Sequence, residues 1–114
     1  MSELINRWFS RTPRLPGMAA CGMVHAEGAA FSKTWDEQYS DTVLNALWPK
    51  LAAIVDTAEA RAAEILQWTF EGCVIFGVPK QNGLMFFVLL SNKTGERDKA
   101  GVERLLAEFR SLRS

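Results

Sequence analysis

Seven consecutive apolar residues, Leu84-Met85-Phe86-Phe87-Val88-Leu89-Leu90, leave the chain few options. Asn82-Gly83 precedes the run and Ser91-Asn92 follows it, so turn-forming residues close both ends. Seven residues is strand length and too short for a buried helix. A strand that is apolar on both sides must be covered on both faces. The run therefore predicts a strand in the middle of a sheet, with helices above and below.

The chain has 114 residues, 48% of them hydrophobic, which fits one domain over residues 1–114 with a modest core. Thirteen basic and thirteen acidic residues give a formal net charge of zero. That balance lacks the basic excess of a nucleic-acid footprint. Arg7, Arg11 and Arg14 form a local basic bias, read as a solvated N-terminal segment. The polar opening Met1-Ser2-Glu3 shows no signal peptide, and no run nears the roughly 20 apolar residues of a membrane span. The expectation is a cytoplasmic protein with no membrane insertion and with Cys21 and Cys73 reduced.

Leu4, Ile5, Trp8 and Phe9 recur at helical spacing, predicting a first helix over Ser2 to Ser10 that Pro13 and Pro16 end. Ala19 to Ala26 and Ala29 to Trp35 read as a hairpin around Glu27-Gly28. Asp36 to about Ala60 reads as a long helix with one broad stripe of Leu44, Leu47, Trp48, Leu51, Ile54, Val55 and Ala58. Pro49 lies inside it and predicts a kink, with two helices end to end as the alternative. Ala63 to Glu71 alternates as a half-buried strand, and Cys73 to Val78 is a second, apolar one. Lys80-Gln81-Asn82-Gly83 turns into the central run, completing a three-stranded meander. Val102, Leu105, Leu106, Phe109 and Leu112 mark a last helix, with Thr94 and Asp98 as candidate caps.

This α-β-β-α-β-β-β-α order resembles the Roadblock (dynein light chain) family. Leu15-Pro16-Gly17-Met18-Ala19-Ala20-Cys21-Gly22-Met23-Val24 is similar to its approach into the first strand. His25-Ala26-Glu27-Gly28 is similar to its acidic hairpin turn, and Asn82-Gly83-Leu84 to the turn into its last strand. These motifs are turns and apolar runs, of low specificity, and profilin-like and longin folds share parts of them. The resemblance implies an α+β domain with a five-stranded antiparallel sheet. The long helix would cover one face and the two terminal helices the other. It also implies a dimer in which the third strand is a sheet edge that pairs with its copy. The implied interface is Ile65, Leu66, Gln67, Trp68, Thr69 and Phe70, with Leu51 and Ile54 from the long helix. Bacterial relatives commonly work with Ras-like small GTPases, and eukaryotic ones with dynein or GTPase-regulating assemblies. Gln38, Asp41, Asn45 and Lys50 are the implied partner contacts on the solvent side of the long helix.

The residues themselves support the edge pairing. Leu66, Trp68 and Phe70 are heavy apolar cargo, and neither proline nor lysine guards Ile65 to Phe70. The alternative is that this strand is internal.

Chemistry is sparse. Cys21 and His25, four apart in a strand, lie about 13 Å apart along the chain, too far for a dyad. Cys73 with His25 stays open on sequence grounds. Two cysteines and one histidine fall short of a four-ligand zinc site. Asp36, Glu37 and Asp41 suit a helix start. No phosphate-cradling glycine loop is present, and four tryptophans without a basic stripe read as buried apolar mass. The expectation is a non-enzymatic scaffold without cofactor or metal. One rival is a small-ligand sensor with a pocket between sheet and long helix. Another is an enzyme using a cysteine thiolate.

Overall fold

A computed structural model of the chain describes residues 3–25, 27–54, 65–80, 83–92 and 97–112. Among these residues the elements are α1 (Glu3–Ser10), β1 (Met18–Val24), β2 (Ala30–Thr34), α2 (Asp41–Ile54), β3 (Leu66–Thr69), β4 (Cys73–Pro79), β5 (Met85–Ser91) and α3 (Lys99–Ser111). The strands form one antiparallel sheet in the order β2-β1-β5-β4-β3. The apolar run is thus the central strand, as its two-sided hydrophobicity requires.

Alternation on β5 divides the core in two. Leu84, Phe86, Val88 and Leu90 meet Ile5 and Phe9 of α1 and Val102, Leu105, Leu106 and Phe109 of α3. Met85, Phe87 and Leu89 meet Leu44, Trp48 and Leu51 of α2. The two terminal helices therefore share one face and α2 holds the other, as the resemblance implied. On β1 the register shifts between Met18 and Ala20. This bulge puts the neighbours Ala19 and Ala20 on the same α2 face, which regular alternation would forbid.

The α2 face is built around one side chain. Trp48 is fully buried and stacks on Phe87, with ring centroids 4.9 Å apart and planes at 10°. Its ring reaches so far toward β1 that a Cβ on Gly22 would sit 2.0 Å from the indole nitrogen. The indole N–H donates to Ser32 Oγ at 2.9 Å, and that hydroxyl donates to Asn45 Oδ1 at 2.5 Å. Gly77 makes the same kind of room on β4, where an added Cβ would meet the Trp68 ring at 2.9 Å.

Three features of helix α2 bear on its expected form, and two of them differ from it. It starts at Asp41, five residues later than Asp36. Asp36 N–H donates to Thr34 Oγ1 (3.3 Å) and Gln38 N–H to Asp36 Oδ1 (2.9 Å). These short polar side chains draw the backbone into turns instead of a helix. Ser40 then caps the helix, accepting from Val43 N–H through Oγ (3.3 Å) and from Leu44 N–H through its carbonyl (3.0 Å). Secondly, the helix runs through Pro49 as a single element, in keeping with the favoured reading and not with two helices end to end. Trp48 and Leu51, both buried, hold it to the sheet on either side of the proline. Packing of this kind overrides the local cost of the missing hydrogen bond. Thirdly, the stripe is narrower than expected. Ile54 is 66% exposed, whereas Leu44, Trp48 and Leu51 are buried. Val55, Ala58 and the expected end near Ala60 lie outside the described residues, as does Ser2, the expected start of α1. Leu4, expected on the buried face of α1, is 52% exposed.

Two lysines fasten the carboxyl ends of the terminal helices. Lys33 of β2 donates to the carbonyls of Phe9 (3.3 Å), Ser10 (3.1 Å) and Thr12 (2.7 Å) at the end of α1. Lys80, just after β4, donates to the carbonyls of Arg110 (3.2 Å) and Leu112 at the end of α3. Each ammonium meets carbonyls at the carboxyl end of its helix, where the dipole is negative. Asp98 caps the start of α3 by accepting from Gly101 N–H at 2.9 Å. His25, which follows β1, is 4% exposed with Nε2 unpartnered, and its ring meets Phe31 edge-on at 5.4 Å. Burial lowers its pKa below 6.5, with Glu27 opposing the shift.

Three outcomes are expected in urea-unfolding experiments. Gly22→Ala should cost about 2–3 kcal/mol by overpacking against Trp48, and less in a Trp48→Ala background. Lys33→Met and Lys80→Met should each cost about 1 kcal/mol, the worth of charged hydrogen bonds to carbonyl ends. Because the folded pKa of His25 is depressed, its neutral form adds stability that is full above about pH 6.5 and is lost as pH falls. A His25→Phe variant should accordingly lose less stability than the parent between pH 7 and pH 5.

Candidate functional site

The described sheet has two outer strands, β2 and β3. Among the described residues β3 pairs only with β4, in the register Leu66↔Gly77, Gln67↔Phe76, Trp68↔Ile75 and Thr69↔Val74. It is therefore an edge and not an internal strand. Leu66 and Trp68 lie half-buried against the α2-side core, whereas Gln67 and Thr69 are exposed. The inner surface of Trp68 is occupied within the chain, since its ring lies over Gly77 and tilts against Phe87 at 6.1 Å. Ile65 and Phe70 flank the strand, each 44% exposed. From Ile65 to Phe70 there is no charge and no proline. Neither a charge nor a proline therefore discourages this four-residue edge from pairing with another strand.

The long-helix residues expected at the same interface separate. Leu51 is 4% exposed and belongs to the core of the single chain, so it is unavailable for contact. Ile54 faces solvent. Val43, absent from the sequence-based interface, is 59% exposed. Val43, Leu47, Lys50 and Ile54 follow one another at spacings of four, three and four, so they lie along one line of α2. Leu47 also packs on the core, while the other three are 'outer' residues. In the sequence this line and the buried line of Leu44, Trp48 and Leu51 merge into one broad stripe; in the helix they are two.

The four expected partner contacts are all exposed but not grouped. Asp41 and Asn45 line a groove of about 420 Å³ along β2, together with Asn6, Phe9 and Ser10 of α1 and Met23, Phe31 and Ser32. Gln38 sits in the turn before α2, and Lys50 lies on the outer line of the helix; neither lines the groove. The space between sheet and α2, where a sensor would hold its ligand, contains the Trp48 ring.

The thiols are poor nucleophiles. Burial pushes Cys21 up to about 12, and nearby Lys33 offsets only part of this. Burial raises Cys73 as well, with a hydrogen bond from Tyr39 opposing it. A reactive cysteine requires the opposite shift. Cys21 and Cys73 also belong to opposite faces of the sheet. Cys73 pairs with Ser91 at one end of β5, whereas Val24, next to His25, pairs with Met85 at the other. Those ends are six residue steps apart along β5, roughly 20 Å, so a Cys73–His25 dyad does not form. Among the described residues no three His, Cys, Asp or Glu side chains gather as a metal site, and no helix is long and apolar enough to cross a membrane.

No family profile and no curated protein matches the sequence. Solved structures do match in shape. A Roadblock/LC7 domain from Streptomyces avermitilis superposes with a TM-score of 0.57 at 14% identity, covering 96% of this chain and 90% of that one. Myxococcus xanthus MglB superposes with a TM-score of 0.57 at 14% identity, covering 83% of this chain and 85% of that one. With β5 central, α2 on one face and the terminal helices on the other, the chain has the Roadblock/LC7 fold.

Proposed function

We propose that this protein is a non-enzymatic dimeric scaffold or regulator that acts by protein–protein contact, with a Ras-like small GTPase as its partner. The observation that carries the dimer is the β3 edge: uncharged, free of proline, and flanked by exposed Ile65 and Phe70. Antiparallel pairing of two β3 edges satisfies their outward N–H and C=O groups and removes an aggregation-prone border. Leu66 to Thr69 supply the pairing, and Ile65, Phe70 and the Val43–Ile54 line of α2 supply apolar contact. Leu51 takes no direct part.

The GTPase partner follows from the Roadblock fold and rests on that likeness alone. Asp41, Asn45, Gln38 and Lys50 are the proposed contacts. They bind and carry no catalytic role. The proposed setting is the cytoplasm, where the two thiols stay reduced.

Light scattering during size-exclusion chromatography, over a concentration series, tests the dimer. The expected mass is about 25 kDa, twice the 12.7 kDa of one chain. Trp68→Lys should return it to a monomer that unfolds cooperatively. A monomeric parent at tens of micromolar would remove the homodimer. For the partner, pull-downs with Ras-like GTPases encoded in the same genome, loaded with GDP or a GTP analogue, should retain one of them. Asp41→Lys should weaken that retention, and retention unaffected by all four contact variants would displace the proposed surface.

A further inference from the structure

The two edges of the described sheet, β2 and β3, differ in chemistry. His25 N–H donates to Ala29 O at 2.8 Å, and Trp35 N–H donates to Ala19 O at 2.9 Å. Bonded pairs alternate along an antiparallel ladder. With Met23↔Phe31 and Cys21↔Lys33 as the bonded pairs between, Ala30 and Ser32 aim their backbone N–H and C=O away from β1. Beside these outward groups runs the 420 Å³ groove. Phe9 and Phe31 give it an apolar floor, and Phe31 is 45% exposed. Asn45 and Asp41 of α2 border one side and Ser10 of α1 the other.

Among the described residues that line the groove, Asp41 alone is charged. Glu27 precedes β2, and Asp36, Glu37 and Asp41 follow it. The one cation in the stretch, Lys33, turns its ammonium to the carbonyls at the end of α1. Antiparallel self-pairing of β2 about a two-fold axis would set Glu27 of each copy against Asp36 and Glu37 of the other. The β3 edge has no such obstacle.

We infer that the free edge of β2 docks an extended basic peptide segment of a partner protein as a sixth strand. The peptide backbone bonds to Ala30 and Ser32, one apolar side chain enters the groove over Phe31, and a lysine or arginine meets Asp41. This inference does not depend on the dimer; it shares Asp41 and Asn45 with the surface proposed for the GTPase, and a peptide probe with amide protection at Ala30 and Ser32 tests it apart from that reading.

The probe is a fluorescein-labelled hexapeptide of alternating lysine and valine, followed by fluorescence anisotropy. An alternating glutamate–valine peptide is the comparison. The basic peptide should bind saturably and the acidic one at least about tenfold more weakly, the scale of several like-charge contacts. Asp41→Asn should weaken the basic peptide about two- to fivefold, as an exposed ion pair would. Ala30→Pro, which removes an outward N–H at an edge position where proline is tolerated, should weaken it about tenfold. Residue-resolved hydrogen exchange of the parent provides a readout free of variants: the Ala30 and Ser32 amides should slow when the basic peptide is added. Three results would overturn the inference. Protection could appear at β3 instead; the two peptides could bind equally; or the Ala30 and Ser32 amides could already be protected, in a concentration-dependent way, in the protein alone, which would identify a second copy as the occupant.

Discussion

The seating of Trp48 over Gly22 is the contact on which the architecture of this chain depends. A fully buried indole, stacked on Phe87 of the central strand, holds the middle of α2 to the sheet. Truncating a buried tryptophan typically costs about 3–5 kcal/mol, a large part of the stability of a small domain. The contact exists only because β1 offers no side chain at Gly22 and because Ser32 accepts the indole proton. It also explains how α2 tolerates Pro49: the residues on both sides of the proline are fixed by packing, so the helix need not rely on its own hydrogen bonds there. The same contact fills the volume in which a sensor of this general shape would keep a ligand.

The opposite face is organised differently. Phe86 lies between Trp8 and Phe109, at 5.0 and 5.2 Å from their ring centroids, so the two terminal helices meet over one aromatic residue. Lys33 and Lys80 then reach from the sheet to the ends of these helices. Each lysine ties a helix to a strand far away in sequence. Both helices are short, so much of their stability comes from such tertiary ties rather than from propensity. With both faces closed in this way, β2 and β3 are the borders of the described sheet. Leu66 to Thr69 of β3 carry no charge, whereas the groove beside β2 is lined by Asp41.

Much of this was legible in the residues. The element order and the central position of β5 followed from alternation, turn residues and one unbroken apolar run. The resemblance added the topology, in particular that β3 is an edge. Interaction residues were less legible. Leu51 and Ile54 share a spacing pattern, yet one is in the core and the other in solvent, because a helix with two apolar lines gives a single broad stripe in sequence. Asp36 suits a helix start by residue type, but Thr34 and its own carboxylate claim the local N–H groups first. The β2 groove was invisible because it joins residues of α1, β2 and α2 that have no common pattern.

The sequence by itself determined the elements, their order and which strand must be central, since these depend on periodicity and on the burial demanded by apolar side chains. The tertiary structure decided which helix residues were already used in the core, which glycines had to admit a tryptophan, and where Lys33, Lys80 and Asp41 point. Those outcomes depend on distances between segments far apart in the chain. Local sequence carries no record of such distances until the segments have packed.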